Sequence, residues 1–223
     1  MIEFLRRIWF AVKEAAFLRL HTDRAARFGA IYRNHMWKNP ESASGFGSTI
    51  EATTDVRDGL ARLIASHGVC SILDAPCGDF NWMRAIAFEG SYLGLDIVPE
   101  LIASNLASFG DDRRAFQVAD IVADPLPSTE LVLCRDCLNH LPLGDGVAAL
   151  RNLKSAAAKL LVITHFPSHP ANREQSASFR YRALNLTLPP FSLGKPNAII
   201  EESHGSPGKC LAVWEVSNRP IGT

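Results

Sequence analysis

The feature that most constrains the fold is an alternation of short apolar segments with segments of helical periodicity, which begins near residue 68. Strands separated by helix-length patterns favour a parallel sheet covered by helices on both faces. The segment HGSPGK, between the last two apolar segments, is too short for a parallel crossover and predicts a hairpin. The sequence therefore predicts an α/β fold with a doubly wound, mostly parallel seven-stranded sheet and an antiparallel edge strand. The predicted strands are CSILDA, SYLGLDIV, AFQVADI, ELVLCRD, KLLVITHF, NAIIEES and CLAVWEV, and the predicted helices between them are FNWMRAIAF, PELIASNLASF and GVAALRNLKSAA.

The first 67 residues predict a helical cap with a lid loop, placed ahead of a core at 68–223. A polar loop rich in glycine and serine, at 38–49, separates predicted helices at 23–37 and 51–67. The first 20 residues predict an amphipathic helix packed on the domain. The alternative is an interfacial helix in peripheral contact with a membrane, because apolar Phe4, Ile8 and Trp9 lie beside basic residues. The apolar run there is too short for a membrane span, and no secretory signal is visible.

Composition narrows the classes of partner. The 223 residues carry 23 basic and 23 acidic side chains, so the formal net charge is zero and we expect no nucleic-acid partner. Five cysteines, an odd number in a chain without a secretory signal, predict reduced thiols and a cytoplasmic location. A zinc site built from Cys77, Cys134, Cys137 and His140 is an alternative, but their spacing matches no recognised zinc pattern. We therefore predict small buried cysteines and no metal.

Four acidic residues lie at the carboxyl ends of the first four predicted strands: Asp74, Asp96, Asp120 and Asp136. In an open α/β sheet, ligands bind at that edge, near the point where the strand order reverses. One strand-end aspartate is often no more than the N-cap of the next helix. Four carboxylates at one edge repel each other unless donors from a ligand separate them, and this favours a ligand site.

The turn after the first strand distinguishes two ligand classes. A dinucleotide needs a glycine-rich turn for its pyrophosphate, whereas this turn contains one glycine, Gly78, followed by Asp79, whose charge would face a phosphate. S-adenosylmethionine has no phosphate. It offers an ammonium, a sulfonium, two ribose hydroxyls and an adenine amine, and these groups suit carboxylates. The sequence favours S-adenosylmethionine over a nicotinamide cofactor.

The ordered motifs LDAPCGDF, YLGLDIV, FQVADI and LVLCRDCLNHL resemble those of class I S-adenosylmethionine-dependent methyltransferases, over most of the chain from about residue 71. The closer resemblance is to a bacterial branch that also carries an upstream tryptophan and an ESxSGxGS motif, here Trp37 and ESASGFGS. The resemblance implies a Rossmann-like methyltransferase fold with S-adenosylmethionine as the cofactor. Pro76 and Phe80 stand where the usual D-x-G-x-G-x-G motif has glycine.

The resemblance also implies individual roles. Asp74 would hold the methionine end of the cofactor, directly or through water, Asp96 the ribose hydroxyls and Asp120 the adenine amine. The loop after Trp37 would close over the methionine end as a lid, with a flexible connector as the alternative. The predicted cofactor-binding residues are Trp37, Ser44, Gly45, Ser48, Asp74, Ala75, Pro76, Gly78, Asp96, Ile97, Asp120, Ile121 and Arg135.

The candidate catalytic residues are Asp136, at the end of the fourth predicted strand, His140, just past it, and His165, at the end of the fifth. A histidine there would act as a general base toward a hydroxyl acceptor, and simple packing of His140 is the alternative. Arg135 would bind the cofactor carboxylate or an acidic acceptor. The segment RYRALNLTLPPF is expected, from its position alone, to line the acceptor pocket through Arg180, Tyr181, Arg182 and Asn185.

The sequence thus predicts methyl transfer to an acceptor, most simply a hydroxyl of a small molecule or glycan. Two alternatives from other classes remain. One is a non-catalytic cofactor-binding or interaction protein with the same fold, because a fold alone does not prove activity. The other is a nicotinamide-dependent oxidoreductase, which the missing glycine fingerprint disfavours.

Overall fold

The computed structural model describes residue 12 and residues 15–174, 180–204 and 206–216. The N-terminal helix predicted around Phe4, Ile8 and Trp9 lies outside the described residues. In the described part of the chain, no helix is both long enough and apolar enough to cross a membrane. A helical segment at 15–20 precedes the elements named below. These are helices α1 (Arg24–Arg33), α2 (Thr54–His67), α3 (Pro99–Phe109) and α4 (Leu143–Ala156), and strands β1 (Ser71–Asp74), β2 (Ser91–Asp96), β3 (Arg114–Val118), β4 (Thr129–Cys134), β5 (Ala157–His165), β6 (Ala198–Glu201) and β7 (Cys210–Glu215).

The strands form one sheet in the order β3-β2-β1-β4-β5-β7-β6. The first five are parallel, as the sequence predicts, and β1 lies beside β4. The strand order reverses between these two, which opens a crevice above their carboxyl ends. The predicted hairpin is confirmed, since β6 and β7 pair antiparallel. The strand that runs against the sheet, β7, lies between β5 and the edge strand β6.

Helices cover both faces of the sheet, so the predicted doubly wound class is confirmed. On one face, Val56 and Leu60 of α2 and Ile102 of α3 join a core that includes Ile72 and Leu131 of the strands. On the other face, α4 packs against the sheet, and the residues that it buries there are Ala149, Leu150 and Leu153. Because α2 belongs to the first of these cores, it packs on the sheet although it lies within 1–67. The boundary at residue 67 stays a prediction.

Local signals explain where several helices begin and end. The carboxylate of Asp23 accepts a hydrogen bond from the Ala26 N–H at 2.7 Å and caps α1. Gly68 ends α2 in the left-handed conformation, with φ +54°, that favours glycine. Pro99 occupies the first turn of α3, where its missing N–H costs nothing.

The helix predicted for FNWMRAIAF is wrong: the structure has only a 3-10 turn at Met83–Ala85. Asn81, Trp82 and Met83 are consecutive and all buried, so they could not share the single buried face of an amphipathic helix. The Asn81 amide is also committed to partners in the preceding loop, the Glu41 carboxylate at 2.7 Å and the Ser48 carbonyl at 3.0 Å. The helix predicted over 23–37 is likewise shorter, and ends at Arg33.

Candidate functional site

A cavity of about 640 Å³ lies over the carboxyl ends of β1, β2 and β4 and is bounded by α1 and the loop at 38–49. Its volume is within the range of small-molecule and cofactor sites, roughly 300–1,000 Å³. Two predicted site residues, Ala75 and His165, do not line it. The predicted residues that do line it are Trp37, Ser44, Gly45, Ser48, Asp74, Pro76, Gly78, Asp96, Ile97, Asp120, Ile121, Arg135, Asp136 and His140.

Two of the strand-end acids are buried in this cavity. Asp74 accepts a hydrogen bond from the Tyr92 hydroxyl at 2.8 Å, and Asp96 accepts from the backbone N–H groups of Gly78 and Val98 at 3.3 and 3.1 Å. Burial raises the pKa of Asp74 to about 7, which the Tyr92 hydrogen bond opposes in part. Burial likewise raises the pKa of Asp96 to about 6. Both carboxylates are therefore desolvated, and no neighbouring cation offsets the desolvation enough to restore their usual pKa.

The third strand-end acid is engaged by the cap. Asp120 lies two residues beyond the end of β3 and accepts hydrogen bonds from Nε and Nη2 of Arg24 at 2.9 and 2.7 Å. Arg24 also contacts Asp145 at 3.0 Å, so this one guanidinium joins α1 to two acids of the core. The second oxygen of Asp120 accepts from the Val122 N–H at 3.0 Å.

The turn after β1 has the backbone conformation of a glycine-rich loop, although it contains residues other than glycine. Gly78 and Phe80 have φ of +54° and +58°, a region that L-residues other than glycine rarely adopt. The Phe80 ring is buried, with its centroid 4.9 to 5.3 Å from those of Tyr92, Phe109 and Phe116. Burial of this ring offsets the backbone strain, which explains a phenylalanine where the usual motif has glycine.

Gly78 is expected to tolerate no side chain, for a reason beyond its φ. A Cβ built there would lie 2.4 Å from the Ser44 Oγ, whereas Gly68, with the same φ of +54°, has nothing within 4 Å. Gly68→Ala therefore measures the backbone cost alone, roughly 1–2 kcal/mol. Gly78→Ala should lower the free energy of unfolding by about 1–3 kcal/mol more, because Ser44 must move. Urea unfolding of both variants measures this difference, and equal losses would show that the Ser44 contact is soft.

The loop ESASGFGS is tied to the turn after β1 by two carboxylates. Asp79 accepts from the Ala43 N–H at 2.7 Å and from the hydroxyls of Ser42 and Ser44 at 3.1 and 3.2 Å. Glu41 accepts from the Ile50 N–H at 2.6 Å as well as from Asn81. These contacts explain why the loop has serines and a glutamate at these positions. Its predicted role as a lid over the cofactor stays a prediction.

Asp136 occupies a strained position at the cavity wall. Its φ is +51°, and its N–H donates to the Thr164 Oγ1 at 2.8 Å. Its carboxylate accepts from the Tyr181 hydroxyl at 3.1 Å and from the Lys209 ammonium at 2.5 Å. Burial opposes ionisation of Asp136, but the charges of Arg135 and Lys209 outweigh burial and lower its pKa. Asp136 is therefore a stable anion and a weak base.

Asp136 belongs to a network of four charges with Arg135, Glu202 and Lys209. Arg135 donates to Glu202 at 2.7 and 3.3 Å, and Lys209 lies 2.9 Å from the same carboxylate. The side chains of Arg135 and Lys209 are 4% exposed and that of Glu202 is 0% exposed. With Asp136, the network has two positive and two negative charges, and it joins the end of β4 to the β6–β7 hairpin. Arg135 thus has a protein partner where a ligand carboxylate was predicted.

The two predicted histidine bases differ in their surroundings. His140, in the 3-10 turn after β4, lies between the rings of Trp37 and Tyr181, at centroid distances of 5.8 and 5.4 Å. His165 is buried, and its Nδ1 accepts from the Leu186 N–H at 3.1 Å. The prediction of His165 as a catalytic residue is not supported by this placement, because β5 continues to His165 and directs it into the core rather than the cavity.

The segment after β5 contributes less to the cavity than its position suggested. Tyr181 lines the cavity, whereas Arg182 and Asn185 hold the segment in place. Arg182 donates its backbone N–H to the Asn139 carbonyl at 3.1 Å, and the buried Asn185 amide donates to the Pro167 and His169 carbonyls.

Among the residues that sequence reasoning missed are Arg24, Phe46 and Lys209, which line the cavity, and Glu202, which binds Lys209. For Glu202 and Lys209 a signal existed, since opposite charges that flank a predicted hairpin are expected to face each other. For Arg24 and Phe46 there was none, because their positions depend on how the cap folds over the sheet.

Comparison with known proteins adds to this geometry. No family model matches the chain. A ubiquinone biosynthesis O-methyltransferase of Xanthomonas campestris pv. campestris (strain B100) is 30% identical over 148 residues, which are 63% of this chain and 57% of that protein. The chain therefore matches little more than half the length of this relative.

Solved structures give the fold. The magnesium protoporphyrin IX methyltransferase of Synechocystis PCC 6803, with bound S-adenosylhomocysteine, has a TM-score of 0.54 at 15% identity, over 75% of this chain and 85% of that one. The chain has the class I methyltransferase fold. A second protein with this fold, an S-adenosylmethionine-dependent methyltransferase of Clostridium acetobutylicum ATCC 824, has a TM-score of 0.54 at 10% identity, over 73% of this chain and 91% of that one.

Proposed function

We propose that the protein is an S-adenosylmethionine-dependent methyltransferase whose acceptor is a hydroxyl of a small molecule or glycan. The observation that carries the proposal is the pair of buried carboxylates, Asp74 and Asp96, whose pKa values are raised to about 7 and about 6 in a large cavity. A ligand that brings an ammonium and paired hydroxyl donors compensates both groups. S-adenosylmethionine brings these donors and no phosphate.

The residues present fit this cofactor. Asp96 would hold the ribose hydroxyls and Asp74 the methionine end, while Gly78 would present backbone without a side chain to the cofactor. Arg24 and Val122 leave some lone pairs of the Asp120 carboxylate open, and with these Asp120 would accept from the adenine amine. Ile121 would offer its backbone N–H to the adenine ring. The Arg24 contact supports a cap that closes over the adenosine end.

The cofactor supplies an electrophilic methyl group on a sulfonium. When bound, it would give this methyl group to the acceptor hydroxyl oxygen, keep the electron pair of the broken carbon–sulfur bond and leave as a neutral thioether. His140 would take the hydroxyl proton, and Asp136 would provide a fixed negative charge near the resulting imidazolium. Because this displacement is in line, holding the acceptor in place supplies much of the rate.

Similar proteins support the reaction class. The 30% identical relative carries the name of an O-methyltransferase, which favours oxygen as the accepting atom. A nicotinamide cofactor is disfavoured, because Asp79 lies at the turn where a pyrophosphate would bind and its negative charge is held there by four hydrogen bonds. A non-catalytic cofactor-binding protein remains the alternative, and turnover with an acceptor separates the two. The five free thiols accord with the proposed cytoplasmic location.

Calorimetry tests the cofactor directly. S-adenosylhomocysteine should bind, and NAD should bind far more weakly. Because the ligand's donors favour ionised Asp74 and Asp96, its affinity should be full above a pH of about 7 and fall as the pH decreases through the two raised pKa values. We expect a loss of about tenfold or more between pH 8 and pH 5.

Asp96→Ala is the matched variant for this measurement. It should weaken binding at pH 8 by at least about tenfold, since a charge-assisted hydrogen bond contributes roughly 1.5–3 kcal/mol. The pH dependence of binding should also be smaller in this variant, because only Asp74 then contributes to it. Comparable affinities for NAD and S-adenosylhomocysteine, or an unchanged dissociation constant in Asp96→Ala, would contradict the assignment.

A further inference from the structure

The exposed aromatic side chains are concentrated at one place. Among the large apolar side chains that the described residues expose, three are aromatic: Trp37 at 38%, Phe46 at 63% and Tyr181 at 38%. All three line the one cavity over the carboxyl ends of the strands. Apolar residues exposed singly are ordinary, whereas a cluster in a cavity marks a binding surface.

Two of the rings are linked through His140. Its imidazole lies 5.8 Å from the Trp37 ring at an interplanar angle of 44° and 5.4 Å from the Tyr181 ring at 66°. The Tyr181 hydroxyl donates to Asp136, which fixes the orientation of this ring. The proposed proton acceptor therefore lies among aromatic side chains.

The third ring comes from the loop ESASGFGS, at the same end of the cavity. Phe46 stands between two glycines, and a Cβ built at the second, Gly47, would lie 3.5 Å from the Asp136 Oδ2. The Phe46 carbonyl accepts from the N–H and the hydroxyl of Thr49, so the backbone that presents this ring is fixed. Only the ring itself remains exposed.

The lysine and arginine side chains that line the cavity are already paired. Arg24 binds Asp120, and Arg135 and Lys209 both bind the buried Glu202. Binding an acidic acceptor through one of them would require a carboxylate to give up its partner. The aromatic end of the cavity therefore has no unpaired lysine or arginine to offer to an anion.

We propose that Trp37, Phe46 and Tyr181 form the acceptor site, and that it takes an uncharged ring compound bearing a hydroxyl group. The inference rests on the proposed methyltransferase function. Aromatic side chains stack on a flat, weakly polar ring face, whether that face belongs to a phenol or to a sugar. Stacking on Phe46 holds the ring of the acceptor, and the acceptor hydroxyl is directed toward His140.

Ligand-observed NMR on the full chain, saturated with S-adenosylhomocysteine, tests the proposal. The uncharged probes are catechol and methyl β-D-glucopyranoside, which distinguish a phenol from a sugar. Their carboxylated counterparts, 3,4-dihydroxybenzoate and methyl β-D-glucuronide, test charge, and choline tests a cation site. At least one uncharged probe should bind at millimolar concentration, and more tightly than its carboxylated counterpart and choline.

Phe46→Ala should weaken binding of that probe by about tenfold, because the aromatic face that the bound probe covers is lost. The affinity for S-adenosylhomocysteine should stay unchanged. Leu106→Ala is the matched control, since Leu106 is also exposed, at 53%, but lies outside the cavity. The proposal is overturned if neither uncharged probe binds, if the carboxylated probes or choline bind as tightly, or if Phe46→Ala weakens cofactor binding. Failure of the parent protein to bind S-adenosylhomocysteine would instead overturn the proposed function.

Discussion

Replacing His140 with phenylalanine is expected to slow methyl transfer by roughly 10²–10⁴-fold, the usual contribution of a positioned general base. The variant keeps a ring between Trp37 and Tyr181, so it removes the proton acceptor while leaving the packing of the site. Cofactor affinity should change little, because the carboxylates Asp74 and Asp96 are untouched. Single-turnover transfer at saturating cofactor, with an acceptor found through the ring probes, measures the chemical step.

The pH profile separates a base from a packing residue. In the parent protein the single-turnover rate should rise with pH as the general base loses its proton, and this rise should be absent in His140→Phe. His204→Ala is the comparison, since His204 is the other histidine of the described residues that lines the cavity. A large loss in His204→Ala with a near-normal rate in His140→Phe would transfer the role to His204. Near-normal rates in both would mean that positioning alone drives transfer.

The fold was largely predictable because it rests on local pattern. Most of the parallel strands are short apolar runs, and the hairpin between β6 and β7 follows from a connection too short for a crossover. The segment after Gly78 was not predictable in this way. Its helical spacing of apolar residues is real, but contacts with the loop at 41–48 commit Asn81 elsewhere, and tertiary contacts override the local preference.

The site was predictable where backbone position alone decides it. Asp74 and Asp96 end β1 and β2, and a parallel sheet brings such ends to one edge. His165 shows the limit of that reasoning, because successive side chains of a strand point to opposite faces and one residue of register moves a side chain from cavity to core. Pairing of charges across distant elements, such as Arg24 with Asp120, leaves no local trace in the sequence.

Glu202→Gln is expected to destabilise the protein by roughly 3–5 kcal/mol, the cost of removing one partner from a buried ion pair. Glu202 is 0% exposed and holds Arg135 at 2.7 Å and Lys209 at 2.9 Å. Without its charge, the network of four becomes a buried net positive charge. Because the network fixes Asp136 and the hairpin beside the cavity, the acceptor end should loosen before the rest of the sheet. Urea unfolding gives the free energy of unfolding.

The net charge of the buried network, rather than the loss of one contact, should determine how far Glu202→Gln destabilises the protein. Glu202→Gln combined with Lys209→Met restores neutrality, so the double variant should recover much of the stability lost in Glu202→Gln, although it has lost more contacts. Glu130→Gln, which breaks the partly exposed ion pair with Lys159 at 2.8 Å, is the control and should cost less than about 1 kcal/mol. If the double variant were as unstable as the sum of its single substitutions, Glu202 would act through its hydrogen bonds alone. The neutrality of the network would then no longer account for the burial of Arg135 and Lys209 behind Asp136.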